Sequence, residues 1–245
     1  MPVHDDLGIR MKTYYEQIPQ TKLMRRTPVV IRIDGKAFHT YTKGFDKPFD
    51  NLLIDTMQQT MKYLCENIQG CVLGYTQSDE ITLILQDYKN FNTAAWFDYE
   101  VQKICSISAS MATAAFNKYI SSILSERIAN LGGKSLVYGD DIAYGKLKTY
   151  QRAFNQGAMF DARCFNIPKE EVTNLIYWRQ LDAIRNSIQM VGQAYFSHKE
   201  LQNKSCNDIQ QMLIAQKNID WNDFPTYQKR GSCCIKETYS HAETT

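Results

Sequence analysis

No apolar run in the chain approaches the ~18 residues of a membrane span, and the opening MPVHDDLGIR carries no secretory hydrophobic stretch. Neither sign of charge dominates. The formal net charge is +2 over 245 residues, too small for composition alone to indicate a polyanionic partner. The seven cysteines contain no CxxC spacing, their number is odd, and Cys233 and Cys234 are adjacent. That pattern offers no disulfide framework, and the thiols read as reduced, small apolar filler in a cytoplasmic protein. Repeats and low-complexity segments are absent, and the six prolines are scattered. What is present, 44% apolar and 22% charged residues, is ordinary for a globular chain forming one large domain or a compact domain with a helical appendage.

The first strong element is PVVIRI, residues 28 to 33, a β-branched run that ends in Asp34-Gly35. From Asn51 to Ile68 the apolar residues Leu53, Met57, Met61, Leu64 and Ile68 recur at three and four, which predicts a helix. CVLGYT and ITLIL then read as a hairpin around Gln77-Ser78-Asp79-Glu80. Trp96 to about Asn117 lacks Gly and Pro and is rich in small side chains, as expected of a helix packed closely on a sheet. Phe160 to Ile167 is a further strand. Pro168-Lys169-Glu170-Glu171 opens a helix to about Phe196, with proline and acids in the first turn. A helix around Asn207 to Gln216 and a strand near Ser232 to Lys236 complete the chain.

The order strand, helix, strand, strand, helix, strand is the split βαβ order of an α+β, ferredoxin-like antiparallel sheet. The expected organisation is a single catalytic domain. Residues 1–135 supply the first part of its core, 136–157 a flexible loop, and 158–245 the last core strand and a helical C-terminal part. Many unrelated activities share this order, so chemistry must come from particular residues.

In this topology the first strand and the hairpin lie side by side at the centre of the sheet. Asp34, leaving the first strand, and Asp79, in the hairpin turn, would present two carboxylates to one point. Such a pair needs a counter-ion, and hard oxygen ligands that leave room for water and phosphate suit Mg²⁺. Gly35, without a Cβ, lets its carbonyl approach an ion, and Ser78 would bond a phosphate or hold the turn. Glu80, expected to alternate away from Asp79, ranks second. Taken singly, Asp-Gly after a strand is a common turn and a Ser-Asp-Glu tip is commonly just solvated. On the residues alone, a pair of turns and a metal site remain two open readings.

Two other motifs compete. Gly132-Gly133-Lys134-Ser135 resembles the end of a P-loop, but Ile128 stands where the earlier glycine is required, so a helix stop is the better reading. Tyr138-Gly139-Asp140-Asp141 resembles the doubled aspartate of some polymerases, in a Gly- and Lys-rich stretch read as a mobile surface loop.

Arg32-Ile33-Asp34-Gly35-Lys36-Ala37-Phe38-His39 and Gly74-Tyr75-Thr76-Gln77-Ser78-Asp79-Glu80 together resemble the tRNA-histidine guanylyltransferase family, whose members extend RNA in the 3′-to-5′ direction. The likeness is strongest to its shorter branch, which repairs truncated tRNA 5′ ends. It extends through Phe160-Asp161-Ala162-Arg163, Tyr177-Trp178-Arg179-Gln180 and Tyr227-Gln228-Lys229-Arg230-Gly231.

The resemblance implies a polymerase-type palm and two Mg²⁺ ions held by Asp34, Asp79 and the Gly35 carbonyl. It implies GTP and ATP as substrates, with a triphosphate cradled by the backbone of Gly35, Lys36, Ala37, Phe38 and His39 and touched by Ser78. Lys103 falls at the family's phosphate-binding lysine, and Lys47 and Asp50 at a second nucleotide subsite used for 5′ activation. The tRNA 5′ end is the implied partner, Arg179, Arg185, Asn186, Lys204 and Arg230 are its candidate contacts, and a homotetramer of paired dimers is the implied assembly. One departure stands out. The family's His-Ile-Asn-Asn reads Ile184-Arg185-Asn186-Ser187 here, which favours template-directed repair of several tRNAs over strict tRNA-histidine specificity. The rival readings are a palm-domain nucleotide cyclase, against which the missing Gly-Gly-Asp-Glu-Phe signature counts, and an inactive RNA-binding module, against which retention of Asp34, Asp79 and Gly35 counts.

Overall fold

The computed structural model of the chain describes residues 5–130 and 141–237. Asp5 caps a short helix α1 (Asp6–Met11) by accepting the Gly8 amide proton. Strand β1 (Val29–Gly35) follows, then a single helical turn α2 (Phe38–Tyr41). The longer α3 (Asn51–Asn67) begins at Asp50, whose carboxylate accepts from the Leu52 and Leu53 amides, the N-cap arrangement that satisfies donors with no helical partner. The hairpin β2 (Cys71–Gln77) and β3 (Glu80–Leu85) comes next, then α4 (Val101–Asn130), α5 (Asp141–Gln156) and β4 (Phe160–Asn166). The C-terminal part comprises α6 (Glu171–Tyr195), α7 (His198–Leu201), α8 (Cys206–Lys217), α9 (Thr226–Arg230) and β5 (Ser232–Ile235).

The sheet runs in the order β4-β1-β3-β2-β5 with every neighbouring pair antiparallel. β1 and β2 are both antiparallel to β3 and therefore parallel to each other, with β3 inserted between them. That is the split βαβ arrangement expected from the order of elements, with β5 added at the β2 edge. Alternation along β1 sorts its two faces. Ile31 and Ile33 enter a core with Leu52, Met57, Met61 and Leu64 of α3 and Ile104, Ala112 and Phe116 of α4, whereas Arg32 and Asp34 point to the other face. Small residues let the layers close. A Cβ on Gly74 would stand 2.4 Å from the Cys65 sulfur of α3. A second cluster joins Ile188 and Val191 of α6 to Ile209, Leu213 and Trp221.

Three expectations are corrected. The helix predicted from Trp96 starts only at Val101, because Phe97, Asp98 and Tyr99 adopt left-handed backbone and break the approach, and it continues to Asn130 rather than ending near Asn117. The segment 136–157, expected as a flexible loop, is helical from Asp141. Ala153 is buried and Tyr150 packs on the core. What stabilises this helix is a tertiary partner, the loop 41–50, which local sequence does not reveal. The motif at 132–135 and the first three residues of the motif at 138–141 lie outside the described residues; its last, Asp141, begins α5.

Ser187 fastens the C-terminal cluster. Its hydroxyl accepts from Trp221 Nε1 at 3.1 Å and reaches the carbonyls of Ile184 and Lys229 at 2.9 and 3.2 Å. Ser187→Ala should leave the buried indole N–H without its partner and lower unfolding free energy by about 1–3 kcal/mol. Urea unfolding checks this: a midpoint unchanged from wild type would show that the hydroxyl carries no such role.

Candidate active site

The β2–β3 turn contains only Ser78 and Asp79, closed by the Gln77–Glu80 pair. The Gly35 amide donates to the Asp79 carbonyl at 3.1 Å, fixing the turn against the end of β1. Asp34, one residue earlier, stands in register with Glu80 on β3 and with Asp161 on β4. The topology thus sets the strand end that carries Asp34 against the turn that carries Asp79, with two further acids on the strands flanking Asp34.

Both carboxyls are held above the ordinary aspartate range. For Asp79 the main cause is burial, opposed by a 3.0 Å hydrogen bond donated by the Ser78 hydroxyl and reinforced by the charges of Asp34 and Glu80. For Asp34 burial again leads, followed by the charges of Glu80 and Asp161, against which Arg163 and Arg32 pull only in part. Among the described residues neither aspartate forms an ion pair. Glu80 is different. Its Oε2 receives Arg179 at 2.7 Å and Arg32 at 3.3 Å, so it stands opposite Asp34 with its charge already answered.

Two half-buried, mutually repelling carboxylates fit a divalent cation. The described residues contain no group of three or more acidic, histidine or cysteine side chains suited to hold an ion outright. Asp34 and Asp79 could therefore hold an ion only as part of a shell whose other ligands would be the Gly35 carbonyl, water and phosphate oxygen, a mode common for Mg²⁺.

Gly35 has a second function. A Cβ there would lie 2.3 Å from the Phe38 ring, and Phe38 anchors an aromatic cluster with Tyr41, Phe116 and Phe160, ring centroids 5.0 to 5.5 Å from its own. The turn between them is strained, with Ala37 left-handed at φ 54, as is Ser78 at the same angle. Such backbone in non-glycine residues persists where the surroundings enforce it, characteristically at functional sites. The Thr40 and Tyr41 amides donate to the Ala37 carbonyl at 2.9 and 3.2 Å, and Phe38 and His39 line a cleft of about 540 Å³. Lys43, Lys47, Asp50, Ser78 and Asp79 line it as well, with Met190 and Gln193 of α6 opposite.

The cleft wall is set by α5. Arg152 donates to the carbonyls of Tyr41 and Lys43, both at 2.8 Å, Tyr150 donates to Asp50 at 2.8 Å, and Lys146 pairs with Asp46. Asp50, expected at a nucleotide subsite, has its carboxylate spent on this bond, the cap of α3 and the Asp46 amide. Lys47 is exposed in the cleft, and Lys36 is exposed beside it.

Several expected contacts lie elsewhere. Lys103 pairs with Glu100 at 3.5 Å. The flanking Val101 and Cys105 face Cys164 of β4, which registers with Ile31. Lys103 thus turns away from the sheet, roughly 10 Å along the strand from Asp34, and within one chain it does not join the pair. Arg179, expected at RNA, is 4% exposed and bonded to Glu80 and Asp182. Arg185 is exposed and paired to Asp182, Asn186 is half-buried, and Arg230 is exposed. Lys204 lines a separate cleft of about 390 Å³ with Gln189, Gln193 and Phe196. Sequence reasoning passed over Arg32, Asp161 and Arg163, although charged residues at alternate positions inside a strand are themselves a signal. It also passed over Tyr150 and Arg152, which no local pattern announces.

A split-βαβ sheet with paired carboxylates at the first strand's end and the hairpin turn, beside a cation-lined cleft, defines a palm-type nucleotidyltransferase. The family model described as tRNAHis guanylyltransferase matches residues 9–168, and the chain belongs to that family. A bacterial tRNA(His) guanylyltransferase-like protein solved in complex with ATP is 44% identical, with TM-score 0.78, covering 95% of this chain and 88% of that one. Such a protein solved in complex with GTP is 41% identical, with TM-score 0.73, covering 97% and 87%. The tRNA(His) guanylyltransferase of Saccharomyces cerevisiae is 24% identical over 223 residues, 85% of this chain and 82% of its own length. No helix among the described residues is long and apolar enough to cross a membrane.

Because both carboxyls bind protons more readily folded than unfolded, their ionisation opposes folding. Stability should fall as pH rises from the ordinary aspartate value of 3.8 through the raised folded values. In EDTA, Asp79→Asn should therefore melt higher than wild type at neutral pH and lose part of that pH slope, while Mg²⁺ should raise the wild-type midpoint more than the variant's. Melting curves between about pH 4 and pH 8 test this, and identical slopes in the two proteins would refute it.

Proposed function

We propose that this nucleotidyltransferase adds nucleotides to tRNA 5′ ends in the 3′-to-5′ direction, as a template-directed repair enzyme that uses Mg²⁺. The observation that carries the reading is the Asp34–Asp79 pair, locked together by the Gly35–Asp79 bond and lacking an ion-pair partner among the described residues. The ATP and GTP complexes of the bacterial relatives support triphosphates as substrates. In the first step an RNA 5′-monophosphate attacks the α-phosphate of ATP or GTP, forming a 5′-nucleotidyl end and releasing pyrophosphate. The 3′-hydroxyl of an incoming nucleotide then attacks the activated 5′-phosphate, and the mononucleotide leaves.

Bound cations would neutralise charge developing on the transferred phosphoryl oxygens. The chain's own residues prepare the place for this. Ser78 orients the Asp79 carboxylate, Gly35 holds the hairpin to β1, and Lys43, Lys47 and His39 offer donors along the cleft to a triphosphate. Arg152 and Tyr150 hold the loop that presents them. Template-directed repair is favoured by the changed motif, in which Ser187 serves packing rather than ligand contact. A tetramer of paired dimers and a cytoplasmic site of action belong to the same proposal.

Incubating the protein with a tRNA lacking its first 5′ nucleotide, labelled GTP, ATP and Mg²⁺ should lengthen the RNA at its 5′ end. Asp34→Ala and Asp79→Ala should each slow extension by about 100-fold or more. Extension by either variant at the wild-type rate would remove the metal assignment. A cyclic product from GTP alone would indicate a cyclase, and RNA binding without incorporation across several tRNAs a binding module.

A further inference from the structure

Trp178 lies on α6, in a segment that covers the polar face of the sheet, and it is 52% exposed. The guanidinium carbons of Arg179 and Arg32 stand 4.5 and 5.5 Å from its ring centroid. Both guanidiniums bond the same oxygen, Oε2 of Glu80. They are therefore gathered on one side of the indole, and the exposure belongs to the rest of it. Arg32 is also two residues before Asp34 on the same face of β1, a separation of about 7 Å along the strand. An indole backed by cations thus stands roughly one nucleotide from the acid pair.

We infer that Trp178 is a stacking platform for the terminal base at the 5′ end of the RNA. This rests on the reading of the chain as an RNA 5′-end nucleotidyltransferase. A base is the occupant that fits. It presents a π face to the open side of the ring, which Arg32 and Arg179 back, while its phosphates are complementary to exposed arginines nearby in the fold, Arg163 in register with Arg32 and Arg185 two turns on along α6. A second copy of the chain carries a net charge of +2 and brings no polyanionic backbone. Stacking tolerates any base, consistent with an enzyme that meets several tRNA ends, whereas edge-reading hydrogen bonds would select one.

The chain's fluorescence gives a direct readout, because the other two tryptophans, Trp96 and Trp221, are only 8% and 6% exposed. Titration of the full chain with 5′-truncated tRNA should quench the acrylamide-accessible emission in wild type, and Trp178→Phe should abolish that quench while retaining affinity. Trp178→Ala should weaken RNA binding about ten-fold and raise KM for RNA but not for GTP. Unquenched accessible emission at saturating RNA, or wild-type affinity in Trp178→Ala, would overturn the platform. So would a change in sedimentation of Trp178→Ala without RNA, since it would assign the indole to a contact between copies. Quenching without extension would leave the platform standing and count against the proposed activity, while extension at an unchanged KM in Trp178→Ala would do the reverse.

Discussion

Everything in this site depends on keeping two like charges close together. Asp34 and Asp79 repel, and burial adds to the cost of ionising either. A flexible loop would relax by turning one side chain away. The fold denies that movement. Asp34 ends a strand paired along both edges, and Asp79 occupies a two-residue turn whose carbonyl is bonded by the next residue of that strand. The energy that holds the pair comes from the apolar face of the same strands, where Ile31, Ile33, Ile81 and Leu83 are buried beneath α3 and α4. In the proposed reaction the core's contribution is preorganisation: the two carboxylates are held in place before any cation or nucleotide arrives.

Charge is arranged in rows across the polar face. Asp161, Asp34 and Glu80 form one row by register, and Arg163, Arg32 and Thr82 form the next. Were all three acids unanswered, repulsion would favour protonation and dull the site. Arg32 and Arg179 neutralise Glu80, and Asp34 and Asp79 are left as the two carboxylates without ion pairs at this point of the sheet. Arg179 is thereby more consequential as a buried partner than as a surface phosphate contact. Removing it would leave Glu80 only the longer pairing with Arg32 and so raise the repulsion felt by Asp34.

How much of this was legible in sequence follows from the range of the forces involved. Strand ends and a two-residue turn are local features, so Asp34, Gly35, Ser78 and Asp79 could be located from spacing and topology. The order of elements likewise implied β1 and β3 at the centre of the sheet. Helical phase against a sheet is not local. Lys103 and Arg179 each occupy a plausible place in a helix, yet one turns outward at the wrong level and the other turns inward to Glu80. The helix α5 was missed for a related reason. Its glycine and lysines suggest a loop, and its stability comes from Arg152 and Tyr150 meeting a segment some hundred residues earlier.

Helix α6 joins these parts mechanically. Over 25 residues, about 37 Å at the usual rise, it presents Trp178 and Arg179 to the charged rows, Ser187 to the C-terminal cluster, and Met190 and Gln193 to the cleft. A straight helix transmits displacement along its axis, so its seating at Ser187 fixes where both ends stand. The substitution within the family's His-Ile-Asn-Asn motif therefore falls where a ligand contact can be lost while alignment is kept. A serine that accepts from Trp221 keeps the helix in register, and an exposed arginine beside it, paired with Asp182, leaves that surface without the motif's histidine. On the proposed function, the same helix serves an RNA end recognised by stacking and pairing rather than by a fixed set of base-edge contacts.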